Sequence, residues 1–428
     1  MSEPRFLEAW SPPEGAARAA QGFRTWFGFA AAGVWAAPGR VNLIGEHTDY
    51  NGGLSLPVAL PHRTYFAAAP AASDTARLTS AQSAGAVTEV AMSQVAPGAA
   101  NGWGAYAVGV IWALRRRGLP APALTGHVDS CVPLGAGLSS SAALEAAVAL
   151  AAVDLQEAAD AVRRLPSPRD ADRSSAGSTS HQTAPDGGRA QRAALAQACV
   201  EAENRIAGAP TGGMDQAAAM LSASGHALLI DSASGSAESI PFDLAAAGLE
   251  LLVIDTRARH ALVDGQYGER RATCARAAET LGLQNLGQLP LGGLAEATAR
   301  LGGPDAVEAR RVRHVVTEIH RTREFVSALR ARELAQTGPL LDASHASLRD
   351  DYQVSTPELD LAVTAAREAG ALGARMTGGG FGGSAIALVR RGTSRHVAGA
   401  VATAFARTGW KEPVFLLAEP SAAGGRLA

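Results

Sequence analysis

Apolar and polar positions alternate along this chain at two periods, and each period predicts a different element. Residues 101–117 carry apolar groups at helical spacing and stop at Gly118, a residue suited to a left-handed helix cap. The same spacing predicts helices over 193–207, 265–281, 305–335 and 357–369, with others starting near 142 and 214. Residues 5–28 read as an amphipathic helix broken at Pro12-Pro13 and followed by a second helical piece. Apolar and β-branched runs predict strands at 34–37, 56–60, 64–69, 124–132, 227–231, 249–255 and 385–389. The elements alternate irregularly without an internal repeat, which argues for α/β or α+β architecture over a bundle or sandwich.

One stretch follows neither period. Residues 163–192 are almost free of large apolar side chains and dense in Ser, Pro, Asp, Gly and Arg. Such a segment cannot bury enough surface to offset its ordering entropy, so most of it is expected to be a disordered insertion. The whole chain, at 428 residues, is too long for one compact core, and two domains are the natural expectation.

Composition then removes several classes of function. A formal net charge of -2 gives no general attraction to nucleic acid or to an anionic membrane. The most apolar stretch, around 142–153, contains Glu145 and is too short to span a bilayer. The amino terminus lacks the basic and apolar regions of a signal peptide, and Cys131, Cys199 and Cys274 are odd in number and widely spaced. A soluble, cytoplasmic protein in a reducing compartment is expected. Lys411 is the only lysine among the 38 basic residues. The P-loop pattern GxxxxGK[ST] is therefore absent, and a phosphate site would have to use backbone N–H groups, magnesium and arginine.

Four segments carry candidate chemistry. PGRVNLIGEHTDYNGG, residues 38–53, crowds Arg40, Asn42, Glu46, His47, Asp49, Tyr50 and Asn51 between glycine turns. A sugar needs this mixture, because each hydroxyl both donates and accepts; a polar surface loop is the alternative. VPLGAGLSSSAALEAA, residues 132–147, places glycines and Ser139, Ser140 and Ser141 where a helix begins. Free N–H groups and the helix dipole there suit an anion, and hydroxyls suit magnesium, although a plain N-cap would look similar. EAENRIAGAPTGGMDQ, residues 201–216, brings Glu203 and Asp215 toward each other across a glycine turn, as a metal ligand and a catalytic base or as two separately solvated acids. MTGGGFGGSAIALV, residues 376–389, is a glycine-rich turn feeding a strand, and by itself could be only a hairpin.

Together these segments resemble the three signature motifs of the GHMP small-molecule kinase superfamily, and the first resembles the galactokinase signature in particular. The resemblance extends to RHALVDGQYGERRATC (259–274), SHASLRDDYQVSTPELD (344–360) and EPSAAGGRL near the end. It covers nearly the whole chain except 163–192. It implies a two-domain α+β GHMP-kinase fold, with domains 1–222 and 223–428 and the active site in the cleft between them. It implies Arg40 and Asp215 as the catalytic pair, and Glu46, His47, Asp49, Gly212 and Tyr267 as sugar-binding residues. Gly135, Ala136, Gly137, Leu138, Ser139, Ser140 and Ser141 match the phosphate loop, with Trp103 and Tyr106 near the adenine pocket. Ser141 and Glu203 match the Mg²⁺ ligands, and 378–380 match the loop that supports the phosphate site. Thr211 and Gly213 stand where cysteine and isoleucine are usual, and Gln353 and Thr356 also depart from the pattern.

The implied reaction is transfer of the γ-phosphoryl group of MgATP to the anomeric hydroxyl of galactose, the first step of galactose catabolism. The implied partners are galactose and ATP, without nucleic acid or membrane. A monomer is expected, with a dimer as the alternative. Related kinases act on N-acetylgalactosamine, arabinose or mevalonate, and the HTDYNGG form of the sugar loop favours galactose over these. Sugar sensors of similar sequence lack a Ser-Ala pair in the phosphate loop, whereas Ser140-Ser141-Ala142-Ala143 is uninterrupted here.

Overall fold

The computed structural model describes residues 3–83, 85, 87–99, 102–164, 185–209, 211–258 and 265–428. In chain order the helices α1–α11 are Pro12–Phe27, Gly104–Arg116, Ser140–Arg164, Pro185–Ala202, Met214–Leu221, Gln266–Leu281, Leu294–Arg300, Val307–Arg330, Gly338–Ser347, Pro357–Glu368 and Ser394–Thr408. The strands β1–β13 are Gly33–Asn42, Leu54–Ser55, Pro57–Pro70, Thr75–Ser80, Thr88–Ala91, Leu124–Ser130, His226–Asp231, Ser236–Pro241, Leu249–Asp255, Gly373–Thr377, Ser384–Arg390, Val414–Leu417 and Gly425–Arg426.

Three sheets organise these elements, in the orders β13-β1-β3-β6-β4-β5, β10-β11-β9-β12 and β2-β7-β8. Successive strand residues point to opposite faces, and the central strands of both larger sheets are buried on both sides. Val34 and Ala36 of β1 pack with Ala19 and Phe23 of α1, while Trp35 and Ala37 face the core formed with α2, α3 and α4. In the second sheet, Leu252 and Ile254 of β9 face α6, α8, α10 and α11. Leu251 and Val253 look the other way and share a core with Val41, Val58 and Leu60 of the first sheet. That shared core ties the two sheets together beneath the site described below.

Several expectations shift. Pro12 and Pro13 begin α1 rather than break it, with Ser11 as the N-cap. The chain before them is extended, and Phe6 bridges Phe415. The two strands expected at 56–60 and 64–69 are one strand, β3. Pro61 interrupted the pattern, but it lies where β1 and β3 slip register between Pro38 and Arg40, so its missing N–H costs no ladder bond. The expected disordered insertion at 163–192 falls largely on 165–184, outside the described residues. Its last eight residues, 185–192, are instead helical and open α4. Arg192 there donates to the Gly424 and Met220 carbonyls at 2.7 and 3.3 Å. Among the described residues, no helix is long and apolar enough to cross a membrane.

Candidate active site

Arg40 closes on Asp215 from the end of β1, just past the register slip. Its Nε and Nη2 donate to Asp215 Oδ1 and Oδ2 at 2.9 and 3.0 Å, a two-pronged charged contact. Nη1 donates to the Gly137 carbonyl at 2.6 Å, and Ser139 Oγ donates to Asp215 Oδ2 at 2.5 Å. Asp215 itself stands in the first turn of α5. The turn before it passes close to the loop after β1: a Cβ on Gly212 would lie 2.1 Å from Asp49 Oδ2. Only glycine fits that approach.

The loop after β1 is largely buried and held by several neighbours. Glu46 accepts from Gly378 N–H at 2.6 Å and Thr377 Oγ1 at 3.3 Å, and Arg375 lies 3.3 Å from its carboxylate. Arg375 is itself fully buried and caps the Asn42 and Leu43 carbonyls at 3.1 and 2.8 Å. His47 packs its ring 4.6 Å from Tyr352 and 5.5 Å from Tyr267, with Nδ1 2.8 Å from the Tyr50 hydroxyl. Its Nε2 is buried, with the Gly379 backbone beside the ring. Burial first, then the nearby His314 and Arg270, holds the His47 ring well below the usual histidine range, so it is neutral. Burial, reinforced by the Asp215 and Glu46 charges, pushes the Asp49 carboxyl up to about 7. Burial and the Asp49 charge keep the Tyr267 phenol protonated.

The loop leading into α3 has a different character. Gly135, Gly137 and Ser139 all take positive φ, 72°, 71° and 60°, in alternation. Alternating left-handed residues turn successive N–H groups toward one concave face, a natural anion cradle at a helix start. Ser384 Oγ donates to the Ala136 carbonyl at 2.7 Å, tying the loop to β11. Behind it, Glu203 begins a short π-helical turn, Glu203–Ala207. Its carboxylate receives Ser141, Gln216 Nε2 at 2.5 Å and Thr211 Oγ1 at 3.2 Å, while burial and the Asp215 charge push it up to about 7. Gln216 Nε2 also reaches Glu145 Oε2 at 3.0 Å, whose carboxyl burial and the Glu203 charge raise well above the usual range. Glu145 Oε1 and Gln216 Oε1 have no partner. Trp103, just before α2, packs half-buried on the first core. Tyr106 stands in the field of Glu203 and Glu145.

Comparison with known proteins agrees with this geometry. A family model described as the galactokinase galactose-binding signature matches residues 21–70, and models of the GHMP kinase N-terminal and C-terminal domains match 105–168 and 325–407. A galactokinase of Streptomyces coelicolor is 45% identical, across 95% of this chain and 97% of its own length. One of Mycobacterium tuberculosis is 42% identical, across 89% and 95%. The chain belongs to the galactokinase family. It is a kinase with the GHMP fold. The structure of Lactococcus lactis galactokinase complexed with galactose superposes with a TM-score of 0.82 at 30% identity, covering 95% of this chain and 98% of that one. A mevalonate kinase at 15% identity and TM-score 0.58 shares the fold alone.

Within this galactokinase-family fold, Arg40, Asp215, Gly212, Asp49, Glu46, His47 and Tyr267 converge, and the 135–141 loop with Glu203 adjoins them. Trp103 packs on the first core at the start of α2. Other contributors carried no motif. Arg375 precedes the glycine-rich turn by three residues, and Gln216 follows Asp215 directly, so adjacency was a usable signal for both. His314 and Glu318 lie on the buried face of α8, where sequence alone reads charged side chains as solvated.

Proposed function

We propose that this galactokinase-family enzyme transfers the γ-phosphoryl group of ATP to the anomeric hydroxyl of galactose, giving α-galactose 1-phosphate and ADP. The observation that carries the reading is the position of Asp215, bound by Arg40 and Ser139 on the phosphate-loop side and set against Asp49 across Gly212 on the sugar side. Glu46, His47, Asp49, Gly212 and Tyr267 would hold galactose. The backbone of 135–141 would cradle the ATP phosphates, with Trp103 toward the adenine. Phosphoryl transfer asks the protein mainly for alignment and charge stabilisation. Asp215 would take or orient the proton of the attacking hydroxyl, and Arg40 would offset charge on the transferring group.

A Mg²⁺ site fits the donors present. Ser141 and Glu203 would hold it. Glu203 is a buried carboxylate whose charge burial and Asp215 disfavour, which a hard dication would relieve, and its oxygen donors are of the kind Mg²⁺ prefers. When bound, Mg²⁺ would neutralise charge on the β- and γ-phosphates. The proposed domains are 1–222 and 223–428, although β13 returns to the first sheet and β2 pairs with β7 across that boundary. A cytoplasmic monomer, with a dimer as the alternative, accompanies this reading; the three cysteines are all free, as a reducing compartment favours.

A coupled ADP-release assay over a panel of sugars tests the proposal, run with Mg²⁺ and with excess chelator. Galactose is the expected best acceptor, with turnover abolished by chelator. Turnover on N-acetylgalactosamine, arabinose or mevalonate in its place, or sugar binding without ADP release, would overturn it.

A further inference from the structure

The sugar loop is held in a shape it would not adopt unaided. His47 sits at φ 61° and Gly45 at φ 92°. A left-handed residue with a side chain is unfavourable and persists only where its surroundings over-determine it. Gly45 is pressed so close to the next strand that a Cβ there would lie 2.2 Å from the Leu54 carbonyl oxygen. Something must hold this turn against its own preference.

Two side chains of α8 do so. Glu318 accepts from Gly45 N–H at 3.0 Å. His314, one helical turn earlier, places Nε2 3.1 Å from the Glu46 carbonyl. The two therefore bracket the Gly45–Glu46 peptide, one from each flanking unit. Both are completely buried. Each is fixed in turn: Ser344 Oγ and Arg321 Nε donate to Glu318 at 2.7 and 2.8 Å, and Ser347 Oγ lies 2.9 Å from His314 Nδ1. The His314 ring also lies 4.5 Å from Tyr352, the ring on which His47 stacks at 4.6 Å. This part of α8 thus reaches the loop by backbone hydrogen bonds and by one shared aromatic ring.

We propose that His314 and Glu318 are positioning residues for galactose, acting through the loop backbone to aim Glu46 and His47 at the sugar. The inference rests on reading this loop as the sugar site. A buried polar pair on a helix could serve stability alone, so the useful test separates the two substrates. His314→Phe keeps a ring against Tyr352 and removes the donor; His314→Gln restores an N–H. Steady-state kinetics should show the galactose KM of His314→Phe raised about 10-fold, the size of one lost buried hydrogen bond, with the MgATP KM within about 2-fold of the parent. His314→Gln should recover most of the loss. Val315→Ala, a cavity on the same helix, reports destabilisation alone and should lower the melting temperature without separating the two KM values. If His314→Phe does not fold, Ser347→Ala removes the partner that orients the imidazole, together with a 3.1 Å bond to Asp351. It should raise the galactose KM about 3-fold with the MgATP KM unchanged. An unchanged galactose KM, or both KM values rising together as melting temperature falls, overturns the proposal. Failure of the parent to phosphorylate galactose at all would count against the sugar-site reading instead.

Discussion

The two halves of the site are built on opposite principles. On the side proposed for the sugar, Glu46 already has Gly378, Thr377 and Arg375 around it, and the strained turn at His47 is pinned from α8. On the side proposed for the phosphates, Glu203 and Glu145 share a single amide nitrogen of Gln216, and both carboxyls are pushed up by burial. Gly135 at the mouth of that loop is exposed. The loop after β1 is largely closed by its own side chains, whereas around Glu203 two buried carboxyls are crowded together and Glu145 Oε1 and Gln216 Oε1 lack partners. Preorganisation of this kind lowers the cost of binding a neutral ligand, whereas an incomplete charged site makes binding depend on the charges brought to it.

Asp215 is the junction, and its removal should give the largest effect. Asp215→Asn keeps the size and most hydrogen bonds but loses the charge that faces Arg40. Turnover should fall by about 10²–10⁴-fold with galactose affinity retained, measured by kinetics and calorimetry on a variant with a parental melting curve. Near-parental turnover would remove Asp215 from the chemistry. Next in size comes Glu203→Gln, which should raise the MgATP KM by about 10–100-fold and the Mg²⁺ concentration required. The galactose KM should stay put; if it moved equally, the division between the two sides would be false.

These asymmetries were unevenly legible in the sequence. The first segment could be read because the chain itself strings Arg40, Glu46, His47 and Asp49 within one turn region. The loop before α3 was a weaker signal, because serines at a helix start also serve as plain N-caps. What stayed hidden arrives by tertiary contact. Glu318 and His314 come from a helix about 270 residues downstream. On α8 they share the pattern with Arg310, Arg313 and Glu324, and hydropathy cannot tell a buried polar group from a solvated one. Ser139 was expected in a phosphate loop, and its hydroxyl donates to Asp215. The edges of the fold slipped for local reasons, as where Pro12-Pro13 starts a helix and Pro61 sits in a bulge.

A milder probe of the sugar side is pH. The Asp49 carboxyl rises from the ordinary aspartate range to about 7, mainly through burial. Between those values the folded chain keeps a proton that the unfolded chain has lost, so this group's contribution to stability disappears as pH rises through about 7. His47 and His314 act in the other direction, since both are held low by burial and lose stability as pH falls below the usual histidine range; His314 does so toward about 4. The comparison that isolates Asp49 is the melting temperature at pH 6 and pH 8 for the parent and for Asp49→Asn. The parent should lose more on going to pH 8. Its kcat/KM for galactose should also rise across the same interval if the ionised carboxylate accepts from the sugar, and that rise should vanish in the variant. Equal melting shifts in both proteins would show that Asp49 does not titrate there.

The smallest expected effect comes from the segment between α3 and α4. Ser141 lies at the start of α3, which runs on to Arg164, and α4 runs from Pro185 to Ala202 before delivering Glu203. At about 1.5 Å rise per residue both helices are tens of ångströms long. Their connection at 165–184 therefore joins the ends remote from the phosphate loop. Its composition, poor in large apolar groups, offers little to bury. Replacing 165–184 by a short Gly/Ser linker should leave the melting temperature and both KM values close to the parent's, because loop closure changes only slowly with length. A clear fall in melting temperature would mean that the segment packs against the helices. A selective rise in the MgATP KM would mean that it reaches the phosphate side, and that side would then be completed by the chain as well as by its ligands.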